Sequence, residues 1–277
     1  MAKDSDAARL HRNATVIDMV CPLLIREQYI DEWIKGGATC VGPTVAHDHT
    51  LVQTMDAITM WYERFRRLGD KLLHVLRVED IARAKKEGRL GIIFHFQNTQ
   101  PLERNAELVE VYYRLGVRMM QLTYNLKNWV GDGCDELTDA GLSMFGQQVI
   151  REMNRVGMVV DLSHTGYRTT MEAMDVCEAP PVFSHSGVKA VHDSPRNLSD
   201  DQIKAVPAKG GVIGLNGFPA FVSKRRWPTV DDLVDHAEHI ANLVGTDHIS
   251  VGIDYYHGQW PFASPKEAAA MYAWFRS

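Results

Sequence analysis

Short apolar runs recur along the chain, and most are followed by a stretch of helical period. The runs are 15–20 (TVIDMV), 38–45 (ATCVGPTV), 91–97 (GIIFHFQ), 118–124 (RMMQLTY), 157–164 (GMVVDLSH), 181–186 (PVFSHS), 211–217 (GVIGLNG) and 248–255 (HISVGIDY). They are mostly continuous rather than alternating, which is how strands covered on both faces by helices read. Between them, 144–156 places Val149, Ile150, Met153 and Val156 on one stripe, with Gly157 as a stop. Thr229 is an N-cap, and Asp231 and Asp232 favour the first turn of a helix running to about Val244. A helix over Leu102 to Leu115 is closed by Gly116. The gap from Ala46 to Leu90 predicts two helices and one excursion over the barrel mouth. Ser264, Pro265 and Glu267 open a last helix to about Phe275 that would cover strand eight.

Eight buried strands alternating with helices predict an α/β fold of the (β/α)8 TIM-barrel type, a single domain over 1–277. A doubly wound open sheet is the alternative. The strand count and the lack of G-x-G-x-x-G after strand one argue against it.

Composition narrows the function more than the fold. Lys plus Arg is 30 against 35 for Asp plus Glu, so binding driven by nucleic-acid phosphates is disfavoured. No run of about 18 apolar residues predicts a membrane span, and the N-terminus has no apolar signal region. Cys21, Cys40, Cys134 and Cys177 form no C-x-x-C pair and no disulfide framework, which suggests a reducing, cytoplasmic setting.

In such barrels the chemistry sits at the C-terminal ends of the strands. The polar residues there are His95 and Gln97, Tyr124 and Asn125, then Asp161, Ser163 and His164. Ser184, His185 and Ser186 come next, then Asn216, and finally Asp254 with His257 after it. His164, His185 and Asp254 stand at three different strand ends. Imidazoles and a carboxylate suit zinc, with one position left open for water. A lone histidine would be read as a satisfied interior group, but two at adjacent strand ends converge on the barrel mouth. Elsewhere the bland reading is preferred. His47 and His49 (AHDH) read as a solvated loop, 131–134 (GDGC) as a turn, and Cys21 as an inert buried thiol. Trp129, Trp227 and Trp260 read as loop packing or pocket wall, and Arg225 and Arg226 as solvated.

The stretches LTYNLKNWVGDG, GLSMFGQQVIREMNRVGMVVDLSHTG, PVFSHSGVKAVHDSPRNLSDDQI and VGIDYYHG resemble the membrane (renal) dipeptidase family, peptidase family M19. These are zinc peptidases on amidohydrolase-like barrels. The resemblance is close from about Leu122 to Gly258 and looser before it. It implies two zinc ions bridged by a glutamate and a hydroxide that attacks a dipeptide carbonyl. It further implies His164 and His185 as ligands of the second metal, Asp254 as a ligand that handles the proton, and Arg196 as the clamp on the substrate carboxylate. A homodimer is implied by the same analogy. The family's chains run longer at the C-terminal end.

The departures lie in the family's strand-one D-G-H-x-D, which here reads Asp18-Met19-Val20-Cys21-Pro22. Val20 stands where the resemblance implies a histidine ligand and Pro22 where it implies an aspartate. Gln97 replaces the bridging glutamate, and Tyr124 replaces a substrate-contacting histidine. A neutral amide bridges two dications poorly, and Val and Pro supply no ligand. The expectation is one zinc ion or none, held by His164, His185, Asp254 and Gln97. His95 is a substitute ligand or substrate contact beside Tyr124, Arg196 and Asn216. The functional expectation is a metal-dependent dipeptidase or amidohydrolase-type hydrolase of a small substrate. Its rivals are a metal-free, non-peptidase enzyme and a ligand-binding pseudo-enzyme on the same barrel.

Overall fold

The computed structural model describes residues 5–225 and 227–255. Eleven short strands appear among them. The first six are β1 (Ile17–Asp18), β2 (Cys40–Val41), β3 (Thr44–Ala46), β4 (Leu72–His74), β5 (Leu90–Ile92) and β6 (Phe94–Phe96). The others are β7 (Val117–Gln121), β8 (Val159–Asp161), β9 (Val182–Ser186), β10 (Val212–Leu215) and β11 (Ile249–Val251). The sheet order is β3-β6-β7-β8-β9-β10-β11-β1-β2-β5-β4, and every pairing is parallel.

That order is a ring. β2 and β3 are two halves of one predicted strand, interrupted at Gly42-Pro43, where proline has no N–H to give the ladder. β5 and β6 are likewise two halves of another, separated only by Ile93. The lower halves pair with each other and so do the upper halves, so the barrel closes through them. On the other side β11 joins β1, with Asp18 beside Val251. The eight predicted strands are therefore all present in a closed α/β barrel.

Phe94, His95, Phe96 and Gln97 show how the barrel sorts its side chains. In a strand, successive residues face opposite sides. Phe94 packs outward near Trp61 of the helix Leu51–Arg67, and Phe96 meets Tyr112 of the helix Leu108–Arg114 edge-on. His95 and Gln97 are thereby turned inward. Both faces are buried, which explains the lack of a simple hydrophobic alternation.

The helices follow local rules. Ser143 caps Met144–Val156 through the Gly146 N–H, and Gly157 ends it in the left-handed region at φ 80°. Val149, Ile150 and Met153 are its buried stripe. Thr229 caps Val230–Val244 as the sequence predicts, and with Asp232 it forms a capping box. Two expectations need correction. The helix after the third barrel strand begins only at Leu108, because Glu103 and Arg104 adopt positive φ and a short turn, Gln100–Leu102, precedes them. The gap after strand two does hold two helices, Leu51–Arg67 and Val78–Glu87, but between them it also holds a strand that the pattern did not predict. It is β4, which pairs with β5 along the lower half of the third barrel strand. The predicted helix from Pro265 to Phe275, with Trp260, His257 and Arg226, lies outside the described residues. No helix among the described residues is long and apolar enough to cross a membrane.

Close backbone approach inside the ring depends on Gly214 of β10. A Cβ there would lie 2.0 Å from the Ser184 carbonyl oxygen, a backbone atom that cannot yield cheaply. Gly214→Ala is expected to destabilise the fold by about 3 kcal/mol, the upper part of the overpacking range. Urea unfolding checks this, with the midpoint expected to fall at unchanged slope.

Candidate active site

His164 follows β8 and His185 lies within β9, so adjacent strand ends bring them together. Their Nε2 atoms are 2.9 Å apart. Each ring is fixed from behind. His164 Nδ1 donates to Asn125 Oδ1 at 2.6 Å, and His185 Nδ1 meets the Ser184 hydroxyl at 2.7 Å. That hydroxyl donates its only proton to Asp161 Oδ2. It must therefore accept from His185 Nδ1, and Asn125 Oδ1 can only accept from His164. Both imidazoles thus carry their proton on Nδ1 and turn an Nε2 lone pair toward the same point. Burial, with the Arg196 charge close by, pushes both pKa values well below the ordinary histidine range, so both rings are neutral.

Gln97 completes this group. Its Nε2 lies 3.3 Å from His185 Nε2, and its Oε1 accepts from the Thr44 hydroxyl at 2.7 Å. To present oxygen to an ion, the amide would have to turn over. Thr44 can serve either orientation, since a hydroxyl both donates and accepts. His95 occupies a different place from the one expected. It is fully buried, and its Nε2 lies 3.0 Å from Asp161 Oδ2. This puts it behind the histidine pair, because the alternation that turns it inward also sets it one layer below Gln97. Burial opposes the charge of Asp161. The bonds and fields of His95, His185 and Ser184 outweigh that and hold its pKa well below the usual carboxylate range.

Asp254 stands at the end of strand eight, half-buried, with its N–H bonded to the Val20 carbonyl at 3.0 Å. Desolvation pushes its carboxyl up to about 7. The field of Arg196 opposes this, Asp18 adds to it, and the Asn216 amide facing it lowers it. Arg196 is buried. Its Nη1 donates to the Ser186 hydroxyl at 3.1 Å, its Nη2 to the His185 carbonyl at 2.6 Å, and its Nε has no partner. Its loop is held by Asn197, which donates to the carbonyls of His192 and Phe221, both at 2.8 Å. Tyr124 stacks on His164 with ring centres 4.0 Å apart. Beside the site a cavity of about 540 Å³ is lined by His164, Arg196, Cys134, Tyr167, Lys189 and Asp193, among others.

On the strand-one side, Val20 and Cys21 are fully buried and Pro22 opens the short helix Pro22–Ile25. Burial and the Asp18 charge push the Cys21 thiol up, in keeping with an inert group. Among the described residues, no three His, Cys, Asp or Glu side chains come together as a ligand set.

Two features of the mouth were not legible in the sequence. His47 is not the simple solvated loop residue that its AHDH setting suggested. Its ring meets Tyr124 edge-on at 3.9 Å and its Nδ1 lies 3.0 Å from Asp48 Oδ2. Asn125 was noted only as a polar strand end. It is held in place because Gly133 lies against its backbone, where a Cβ would come within 2.2 Å of the Asn125 carbonyl. Of the five non-glycine residues with positive φ among the described residues, three are Asn125, His164 and Asp254. Such conformations cost on the order of 1–3 kcal/mol each and gather where function constrains the backbone. Trp129 lies outside this group, under the Arg104 guanidinium, and Arg225 lies beside Asp232.

The sequence pattern described as Membrane dipeptidase (Peptidase family M19) matches residues 6–273. The chain belongs to this family. It is 35% identical over 201 residues to "Uncharacterized dipeptidase C965.12" of Schizosaccharomyces pombe, covering 69% of this chain and 48% of the relative. It is 30% identical over 212 residues to "Dipeptidase verJ" of Clonostachys rogersoniana, covering 76% of this chain and 54% of the relative. The chain thus spans about half the length of these curated relatives. A crystal structure of an amidohydrolase from Pseudomonas aeruginosa superposes with a TM-score of 0.86 at 36% identity, covering 91% of this chain and 77% of that one.

Asp18 gives a pH test. It is buried and accepts from the Ile253 N–H at 3.0 Å and the Trp33 indole at 3.3 Å, yet burial still raises its pKa to about 6. The folded value lies above the unfolded one of about 4, so its contribution is full below pH 4 and is lost as pH rises through about 6. The loss amounts to about 3 kcal/mol. Urea unfolding from pH 4 to pH 8 should show Asp18→Asn losing less stability than the wild type. Parallel profiles would refute the assignment.

Proposed function

We infer that the protein is a metal-dependent hydrolase that cleaves a dipeptide or similar small amide bearing a free carboxylate. A single ion, zinc by donor type, is held by His164 and His185, with Asp254 as the anionic group of the site. The observation that carries this reading is the pair of neutral imidazoles whose lone pairs converge at 2.9 Å. Two such lone pairs repel each other unless a cation shares them, and burial disfavours a proton in that role. When bound, zinc supplies Lewis acidity and a nucleophile available near neutral pH.

The chain's own groups do the rest. Arg196 keeps a buried positive charge, satisfied in part by neutral oxygens, beside the cavity. A substrate carboxylate suits its planar fork and unfilled Nε. Asp254, with a pKa near 7, can accept a proton and return it to the leaving amine. Tyr124, stacked on His164, walls the reacting space and excludes water from that face.

A second reading, metal-free chemistry or ligand binding in the same pocket, is favoured by Val20 and Pro22. They leave the strand-one side without ligands. Elemental analysis of protein purified without chelator separates the two. About one ion per chain, lost on His185→Ala, supports the hydrolase. No ion after supplementation with zinc, manganese and cobalt sinks it. For the active enzyme, Arg196→Gln should lower kcat/KM on a dipeptide by on the order of 100-fold. A dipeptide amide, lacking the carboxylate, should respond far less, and an equal loss on both would refute the clamp.

A further inference from the structure

The polar groups behind the histidine pair form one connected relay. Asp161 is its centre, and it is fully buried. Its Oδ1 accepts the N–H of Ser163 at 3.0 Å and of Ser184 at 2.9 Å, the residues immediately before His164 and His185. Its Oδ2 accepts from the Ser184 hydroxyl at 2.5 Å and from His95 Nε2 at 3.0 Å. Ser163 joins the same layer, because its hydroxyl accepts the His185 N–H at 3.0 Å. One carboxylate therefore pins both strand ends that carry the histidines and also fixes the direction of the Ser184 proton.

We propose that Asp161 is the positioning residue of the site and that, acting through the Ser184 hydroxyl, it sets the tautomer of His185 so that the Nε2 lone pair faces the pocket. A carboxylate can only accept. Ser184 must point its proton at Asp161 and offer its oxygen lone pair to His185 Nδ1. The imidazole then holds its proton on Nδ1. This is the carboxylate–histidine support found behind many metal-binding histidines, here relayed through one hydroxyl. Alternative readings of the other polar groups do not disturb it. His95 adds a second donor to the same carboxylate oxygen, and the Ser163 hydroxyl need not donate to Ser184.

The relay has a polarity that an isosteric change reverses. In Asp161→Asn the side-chain oxygen can still accept the two backbone N–H groups, while its NH2 faces Ser184. Ser184 then accepts from that introduced amide and donates to His185 Nδ1. The proton of His185 moves to Nε2, and the lone pair is withdrawn from the pocket with little change in shape.

The proposal deepens the one-ion reading, because the exposed lone pair is what an ion would use, but its first test needs no metal. Two-bond nitrogen–proton correlation spectra of metal-free, 15N-histidine-labelled protein report the tautomer, and the His185 signal is assigned by its loss in His185→Gln. The wild type should show Nδ1–H and Asp161→Asn should show Nε2–H. Ser184→Ala, which cuts the relay without touching the carboxylate, should show a mixture. Should Asp161→Asn fail to fold, Ser184→Ala against the conservative Ser184→Thr, expected to restore Nδ1–H, carries the test. Nε2–H in the wild type, or the same tautomer in all variants, overturns the proposal. Zinc titration is the second readout. Asp161→Asn and Ser184→Ala should weaken binding by about 10–100-fold, while Ser184→Thr stays near wild type. A wild type that shows Nδ1–H but binds no metal would refute the one-ion reading and leave the relay standing.

Discussion

The Met19 N–H donates to the Val251 carbonyl at 2.9 Å, and with that bond the last barrel strand joins the first. Closure determines what can meet at the mouth. Asp18 and Asp254 belong to β1 and to the end of strand eight, more than 230 residues apart in sequence, yet the charge of Asp18 raises the pKa of Asp254. Arg196, from the loop after β9, brings its charge near Asp254. Without closure, the histidine side and the carboxylate side would be separate ends of an open sheet. The constraint is demanding for the backbone. Gly214 must let β10 approach the Ser184 carbonyl, and Asn125, His164 and Asp254 are held at positive φ.

Inside that ring the balance of charge decides the chemistry. The neutral Gln97 and the apolar Val20 and Pro22 stand where the family resemblance implies anionic or imidazole ligands. Asp18 and Asp254 are raised in pKa by burial, and Arg196 adds a positive charge. Two dications in such a place would lack the anions to offset them. One cation beside two neutral lone pairs is a smaller demand, and a substrate carboxylate on Arg196 would bring further negative charge. Asp161 contributes its charge from one layer deeper, where it orients donors rather than meeting an ion.

Much of this was legible in the residues. Unbroken apolar runs revealed strands covered on both faces, and Gly157 and Thr229 marked helix ends by chemistry that is local in sequence. The polar strand ends could be enumerated for the same reason, since a barrel gathers them at one rim. What escaped was mostly direction and depth. His95 and Gln97 share a strand face, but nothing in HFQN tells which reaches the pocket and which bonds a buried carboxylate from another strand. His47 needed the ring of Tyr124, distant in sequence, before it could be more than a loop residue. The left-handed turns at Glu103 and Arg104, which delay a helix, have no glycine to announce them.

The central claim is that the site holds one ion on two imidazoles. X-ray absorption at the zinc edge, on protein loaded with zinc and freed of excess, tests it most directly. The account predicts a first shell with two imidazole nitrogens and light oxygen donors, and no scattering from a second metal. A metal–metal vector at about 3.5–4 Å, with two ions per chain, would contradict it, because that is the signature of a bridged pair.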